Sequence, residues 1–353
     1  MKKPTPLQFK LIVSLACLFA VFFIYTIFFP IVTKEAGVTY FLVRGTSKTA
    51  LITDLANQGL IRQRWLFSIY SFPHRSSQIK AGEYVFPKGA SPASIWRQVI
   101  SGKGLHYRTM TIIPGWSFKQ VREALAKTDG LVSEITKMDN QTIMAYFGEV
   151  NLSPEGQFFP DTYFFTRNDT DLSVLKRAYR LMQDHLTKAW NTRTPDLPFG
   201  NAYEALIAAS LVEKEAYLAS ERPRIAGVLV NRLQKAMPLQ FDPTIIFGMG
   251  DFYDGTISKQ DLVTDTPYNT YVHKGLPPTP IAIPSAASIN AVLHPDVTDY
   301  LYFVAKGDGG HQFSKTLEEH NKAVLKVNTQ GSGYFNGALI RRQLETLLEI
   351  KHG

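Results

Sequence analysis

One cysteine, Cys17, is all that the 353-residue chain carries. An intramolecular disulfide and a CxxC metal or redox site are therefore excluded. Cys17 lies inside an apolar run, where it reads as a small membrane-buried residue. Leu15-Ala16-Cys17 resembles a lipidation site only faintly, because the run continues far beyond it. Repeats and low-complexity tracts are lacking too. So is any nucleic-acid motif, although the net charge is +8 and the pI is near 9.3. A basic exterior of this kind suits an acidic surface or polymer. With no disulfide, stability must come from core burial, and the roughly 320 residues after the apolar run suffice for one large or two modest domains.

That run, Leu11 to Thr33, carries no charge and at about 23 residues is long enough to cross a hydrocarbon core. Lys2, Lys3 and Lys10 precede it. By the positive-inside rule the tail 1–10 is cytoplasmic, 11–33 is a single-pass membrane helix, and everything after Lys34 is extracytoplasmic. A cleaved signal peptide fits less well, because the run is too long for such a leader and lacks a small-x-small exit.

Beyond the membrane, residues 38–110 read as a small strand–helix–helix–strand module. Val38 to Val43 alternates; Thr46 or Ser47 caps a helix ending near Gln58; a short helix runs from Arg64 to Tyr70; Gly82 to Gly89 is strand and turn. Ser91-Pro92 opens a further helix to about Ile100. The order is that of a LysM-type glycan-binding module. Residues 111–200 are a connecting region. It has a strand over Tyr107–Ile113, helices from Ser117 to Ala126, Ser133 to Phe147 and Leu172 to Asn191, and a polar–aromatic stretch at Glu155–Tyr163. Residues 201–330 form a larger domain and 331–353 a tail, so the fold class is α+β.

The chemistry concentrates in the larger domain. A helix from Tyr203 to Leu218 carries Glu213-Lys214-Glu215 in otherwise apolar surroundings. A carboxyl group held against apolar side chains has its charged form disfavoured and stays a proton donor at neutral pH, as glycosidic cleavage requires. At 100° per residue Glu213 and Glu215 leave the helix on different sides, so they are not a catalytic pair. A surface salt bridge to Lys214 or Arg222 is the alternative for either. Downstream, Tyr268-Asn269-Thr270-Tyr271 and a proline-stiffened stretch, Gly275 to Pro284, supply amide, hydroxyl and aromatic groups suited to sugars. His311 and His320 match no zinc spacing, and no carboxylate or cysteine set completes a site. His311 is a turn or core histidine, or helps shape a cleft floor.

Taken together, Glu213-Lys214-Glu215, Asn231-Arg232-Leu233, Gln240-Phe241-Asp242-Pro243-Thr244, Tyr268-Asn269-Thr270-Tyr271, Gly275-Leu276-Pro277-Pro278 and His311-Gln312-Phe313 resemble the endolytic murein transglycosylases of the MltG (YceG-like) family. The likeness covers nearly the whole chain. Phe241 and Ser285 depart from the family's commoner Thr and Gly, with little consequence expected. The resemblance implies a catalytic acid at Glu215 and no cofactor or metal. It also implies cleavage of the MurNAc–GlcNAc β-1,4 bond within nascent peptidoglycan strands, leaving 1,6-anhydro ends and limiting strand length. Gln240, Tyr268, Asn269, Thr270, Glu213 and His311 are the expected substrate-binding residues. Glycan strands, the inner membrane and penicillin-binding peptidoglycan synthases are the expected partners, with no nucleic acid. Two other readings stay open: a non-catalytic peptidoglycan-binding scaffold, and a two-carboxylate muramidase pairing Glu215 with Asp242 or Asp265.

Overall fold

The computed structural model of the protein describes residues 5–43, 45–74 and 79–330; residues 1–4 of the expected cytoplasmic tail and the whole tail 331–353 lie outside the described residues. Contacts divide the chain into two units. The first is the chain up to Thr109 with Gly130–Val132 and Phe164–Asp169; the second is Met110–Asp129, Ser133–Tyr163 and the chain from Thr170 on.

Helix α1, Pro6–Phe28, opens the first unit. Pro6 is tolerated in the first turn, and Thr5 and Gln8 close a capping box. The helix starts and stops five residues before the expected span of 11–33. Its end has a local cause: a residue before proline is driven out of the helical region, and Phe29, before Pro30, is extended at φ −80°, ψ 144°. α1 is long and apolar enough to cross a membrane.

Then come β1 (Val38–Leu42), α2 (Lys48–Asn57), α3 (Arg64–Ser71), β2 (Gly82–Phe86), α4 (Pro92–Ser101) and β3 (Arg108–Thr111). β1 and β2 pair antiparallel with Tyr40 opposite Tyr84. Tyr40, Tyr84, Phe86, Phe67 and Trp96 are fully buried and build an aromatic core under this pair. Ser47 and Ser91 cap α2 and α4, and Gly102 ends α4 in the left-handed region, as the sequence leads one to expect.

The second unit contains α5 (Phe118–Lys127), α6 (Asn140–Tyr146), β4 (Thr162–Phe165, shared with the first unit), α7 (Asp171–Asn191), α8 (Ala202–Glu215), α9 (Arg222–Gln234), α10 (Asp242–Met249), α11 (Lys259–Val263), α12 (Ala286–Leu293), β5 (Tyr302–Ala305), β6 (His311–Ser314) and α13 (Leu317–Gln330). β3 pairs with β4 and β5 with β6. The helix expected over Ser133–Phe147 is broken. Ile135–Lys137 is one 3-10 turn, Met138 is extended, and the Asp139 side chain caps a fresh helix. In β5 only Val304 is buried.

α8 is the axis of this unit. Every residue from Ala205 to Val212 is buried, the signature of a helix enclosed on all sides. α7, α9, α10 and α12 surround it. One buried polar group on it is used structurally: the Ser210 hydroxyl donates to Ile207 O at 2.7 Å and accepts from Ile281 N at 3.0 Å. That bond fixes the proline-rich segment against the helix.

Candidate active site

α8 was expected to reach Leu218, but it ends at Glu215. Ala216 is extended and its N–H closes on Val212 O. Glu215 is therefore the last helical residue, on the negative end of the helix dipole, where a carboxylate is disfavoured. Tyr217 falls outside the helix and is 83% exposed. The Glu215 side chain keeps partial access to solvent. Burial, followed by the charge of Asp242, nevertheless pushes its carboxyl up to about 8. Among the described residues no group hydrogen-bonds that carboxyl, so nothing specific holds its anion.

Asp242 occupies the opposite kind of place. It lies in the first turn of α10, where the dipole favours an anion, and its Oδ1 accepts from the Tyr271 hydroxyl at 2.5 Å. Burial raises its carboxyl and the tyrosine pulls it back. Burial thus raises both carboxyls, but only at Asp242 does a hydrogen-bond donor oppose it.

The Asp242 turn is held from below. Thr270 Oγ1 accepts from Phe241 N at 3.0 Å and pairs with Thr244 Oγ1 at 2.9 Å, while Gln240 N donates to Thr270 O. Gln240 sits at φ +55°. Its side-chain oxygen accepts from Arg232 at 3.1 Å, which turns the exposed amide end outward. Arg232 also donates to Leu301 O, Pro238 O and Leu239 O. Neighbouring Asn231 donates to Thr298 O and Tyr300 O. The Asn-Arg pair thus pins two loops at once. Phe241 is buried against Phe303.

The other expected site residues divide by whether their polar atoms remain available. Tyr268 is half-buried, edge-on to Phe247, with its hydroxyl paired to Thr279 at 2.9 Å. The loop bearing it packs so closely on α10 that a Cβ at Gly248 would meet Thr266 Oγ1 at 2.8 Å. Asn269 is 1% exposed. Its amide faces the carbonyls of Asp261, Leu262 and Thr264, and its oxygen accepts from Tyr271 N. Thr270 is buried as described. The polar atoms of both are thus engaged by neighbouring loops.

Glu213 is likewise engaged. Its Oε2 accepts from Ser285 N, Ser285 Oγ and Ser288 Oγ at 2.9, 2.5 and 2.6 Å. Its Oε1 lies 3.5 Å from Arg222. Ser285, expected to matter little, supplies two of these bonds. His311 is fastened to Glu221 through its backbone N–H and Nδ1 at 3.0 and 2.7 Å. His320 is buried against Tyr302, and burial with the Arg232 charge lowers it to about 4. Among the described residues no group of three or more His, Cys, Asp or Glu is arranged to hold a metal ion.

Sequence reasoning missed Glu155. It is 7% exposed and both its oxygens accept from Phe118 N at the start of α5. Burial, opposed by the Phe118 and Gly156 N–H groups, pushes it up to about 7. A lone carboxylate ahead of Phe158-Phe159-Pro160 was the available signal.

Residues 41–326 match the model of the YceG-like family. The chain belongs to the YceG-like family. A relative from Bacillus subtilis (strain 168), named endolytic murein transglycosylase, is 34% identical over 298 residues, covering 80% of this chain and 82% of its own. Another of that name, from Streptococcus pneumoniae serotype 2 (strain D39 / NCTC 7466), is 27% identical over 327 residues; the match spans 83% of this chain but 59% of the streptococcal protein. A crystal structure of a yceG-like protein from Listeria monocytogenes aligns with a TM-score of 0.50 at 29% identity, covering 82% of this chain and 99% of that one.

Proposed function

We propose that this chain is a membrane-anchored endolytic murein transglycosylase. The observation that carries the chemistry is Glu215, unpartnered at a helix C-terminus with its carboxyl pushed up to about 8; the names of the Bacillus and Streptococcus relatives support the substrate. Glu215 protonates the glycosidic oxygen leaving N-acetylmuramic acid. The substrate's own N-acetyl oxygen stabilises the anomeric carbon. Glu215, now a carboxylate, takes the proton of the muramic C6 hydroxyl as that oxygen closes on C1. One group performs both transfers, and the product is a 1,6-anhydro end. Gln240 and Tyr268 are placed to orient the sugars. Asn269 and Thr270 hold the loops that present them, while Glu213 ties α8 to α12 and His311 ties β6 to Glu221.

Asp242 supports a second reading. Its charge acts on Glu215, and in its ionised form it activates water as in two-carboxylate hydrolases, giving reducing ends. Mass spectrometry of uncrosslinked glycan strands digested by the full-length protein separates the two. Anhydro ends that vanish in Glu215→Gln uphold the transglycosylase; reducing ends from the parent protein overturn it in favour of the hydrolase; no cleavage by the parent leaves a binding scaffold.

On this reading α1 is the single-pass anchor of an inner-membrane protein, with its short N-terminal side cytoplasmic and both units outside. The β1–α2–α3–β2 unit is a LysM-like module, followed by a support region to about 200 and a catalytic region over 201–330. Tethering keeps the enzyme near strands emerging at the membrane. That places penicillin-binding synthases among its partners and shortens the strands they make.

A further inference from the structure

The chain leaves α8 in an extended form. Ala216 stands at φ −82°, ψ 99° and Leu218 at φ −86°, ψ 123°. Ala216 is buried, so the alternation of an extended segment turns Tyr217 away from the core. Tyr217 is 83% exposed. Its Cα lies at most about 7 Å from that of Glu215, two residues back along the chain. Single exposed aromatic residues are common; this one differs in being held in place.

The Cδ1–Cε1 side of its ring lies so close to Gly309 that a Cβ there would stand 2.9 and 3.1 Å from those two atoms. Gly309 has φ +86°, so glycine serves both the left-handed turn and the approach of the ring. Glu221 fastens this turn to the segment that bears Tyr217, holding His311 through its backbone N–H and Nδ1. Phe303 of β5 meets His311 at 5.3 Å between centroids and Phe241 at 6.0 Å, and Phe241 immediately precedes Asp242. One hairpin, β5–β6, therefore braces both the segment with Tyr217 and the start of α10, whose Asp242 charge acts on Glu215.

A glycan bond cut within a strand has sugars on both sides of it. Gln240 and Tyr268 belong to the approach to α10 and to the loop packed on α10; Tyr217 brings a ring from a separate element beside the acid. The electron-rich face of an aromatic ring attracts the C–H face of a sugar, and a ring already held loses little freedom on binding. We propose that Tyr217 is the stacking platform for one sugar ring of the strand, at the subsite adjoining Glu215. This rests on the glycan-cutting reading of Glu215. Gly309, His311 and Glu221 are then positioning residues that act through Tyr217.

The test uses full-length protein and uncrosslinked glycan strands. Glu215→Gln holds strands without cutting them, and adding Tyr217→Ala should weaken that binding about ten-fold, the effect of losing one stacked ring. Tyr217→Phe in its place should restore most of the affinity, because the ring face makes the contact and the hydroxyl has no partner among the described residues. In the cutting protein Tyr217→Ala should act on KM more than on kcat, with the melting temperature kept, as for other exposed residues. Gly309→Ala drives a Cβ into the ring. It should weaken binding when Tyr217 is present and add nothing to Tyr217→Ala, a coupling that general distortion of the hairpin does not produce. Binding unmoved by Tyr217→Ala overturns the proposal. So does Tyr217→Phe as weak as Tyr217→Ala, a loss confined to kcat, or Gly309→Ala equally damaging with and without the ring. Protein that neither binds nor cuts strands overturns this proposal and the glycan reading together. Reducing ends from the parent overturn the transglycosylase reading alone, since the effect of the ring is read from binding.

Discussion

Glu213 and Glu215 are separated by one residue and belong to the same helix turn, yet their surroundings have little in common. Glu213 looks toward the start of α12, where a backbone N–H, two hydroxyls and Arg222 converge on its two oxygens. Glu215 is the last residue of α8, and no hydrogen-bond donor meets it among the described residues. One carboxylate is fastened by donors; the other has none, and its carboxyl is pushed up to about 8. Identity of side chain decides neither role; what decides is whether donors have been built around it. A carboxyl packed away from water without donors is stabilised as an acid.

The widest gap between the two sites should be in turnover. Glu215→Gln keeps the shape and removes the exchangeable proton, so cleavage should fall on the order of a thousand-fold or more, read as anhydro ends released per enzyme. Glu213→Gln should retain much more activity. Equal losses in two folded variants would erase the distinction.

Stability should show the reverse. Glu213→Ala leaves a part-buried N–H, two hydroxyls and a mostly buried Arg222 without their acceptor. The cost should be about 3 kcal/mol, a fall in melting temperature of roughly 6–12 °C for a unit of this size. A variant that melts with the parent would show that Glu213 fastens nothing.

Glu215→Gln should have the opposite sign, with a pH dependence. Glu215 folded holds its proton up to about 8, against 4.5 for the ordinary group. Between those values the folded state binds more protons than the unfolded one, so stability falls as pH rises. The glutamine variant lacks that loss. It should match the parent near pH 4 and melt progressively higher than it from about pH 5 to 8; a constant difference across this window would contradict the raised carboxyl.

A smaller contrast separates Asn269 from Gln240. Asn269→Ala strips a buried loop of its organiser and should lower stability by about 2 kcal/mol. Gln240→Ala should leave the melting temperature within a degree or two and slow cleavage about ten-fold, the rate equivalent of roughly 1.4 kcal/mol. Circular dichroism melts beside product counts on both variants decide this.

Local signals in the sequence were legible where the physics is local. Ser47, Ser91 and Ser117 cap the helices they precede, and Gly102 ends one. The break at Met138 was obscured because the apolar pattern runs on through it, while Asp139 competes for the backbone. Glu215 stood out as a carboxylate in an apolar helix, but the end of α8 at that residue did not, since Tyr217 and Leu218 continue the pattern. The fastening of Glu213 comes from Ser285 and Ser288, 72 and 75 residues away. No spacing rule connects them. Asn269 and Thr270 read as sugar-binding groups because an amide and a hydroxyl look alike whether they face substrate or a neighbouring loop. Only burial separates the two.

The proton on Glu215 is the centre of this account, and a carboxyl titration observes it. Full-length protein labelled with ¹³C at the glutamate carboxyls, compared with the same protein carrying Glu215→Gln, isolates one resonance by difference. The account predicts that this resonance titrates near 8 and is still mainly protonated at pH 7. A midpoint near 4.5, the ordinary value, would mean that Glu215 enters the reaction as an anion and cannot be the acid that starts it.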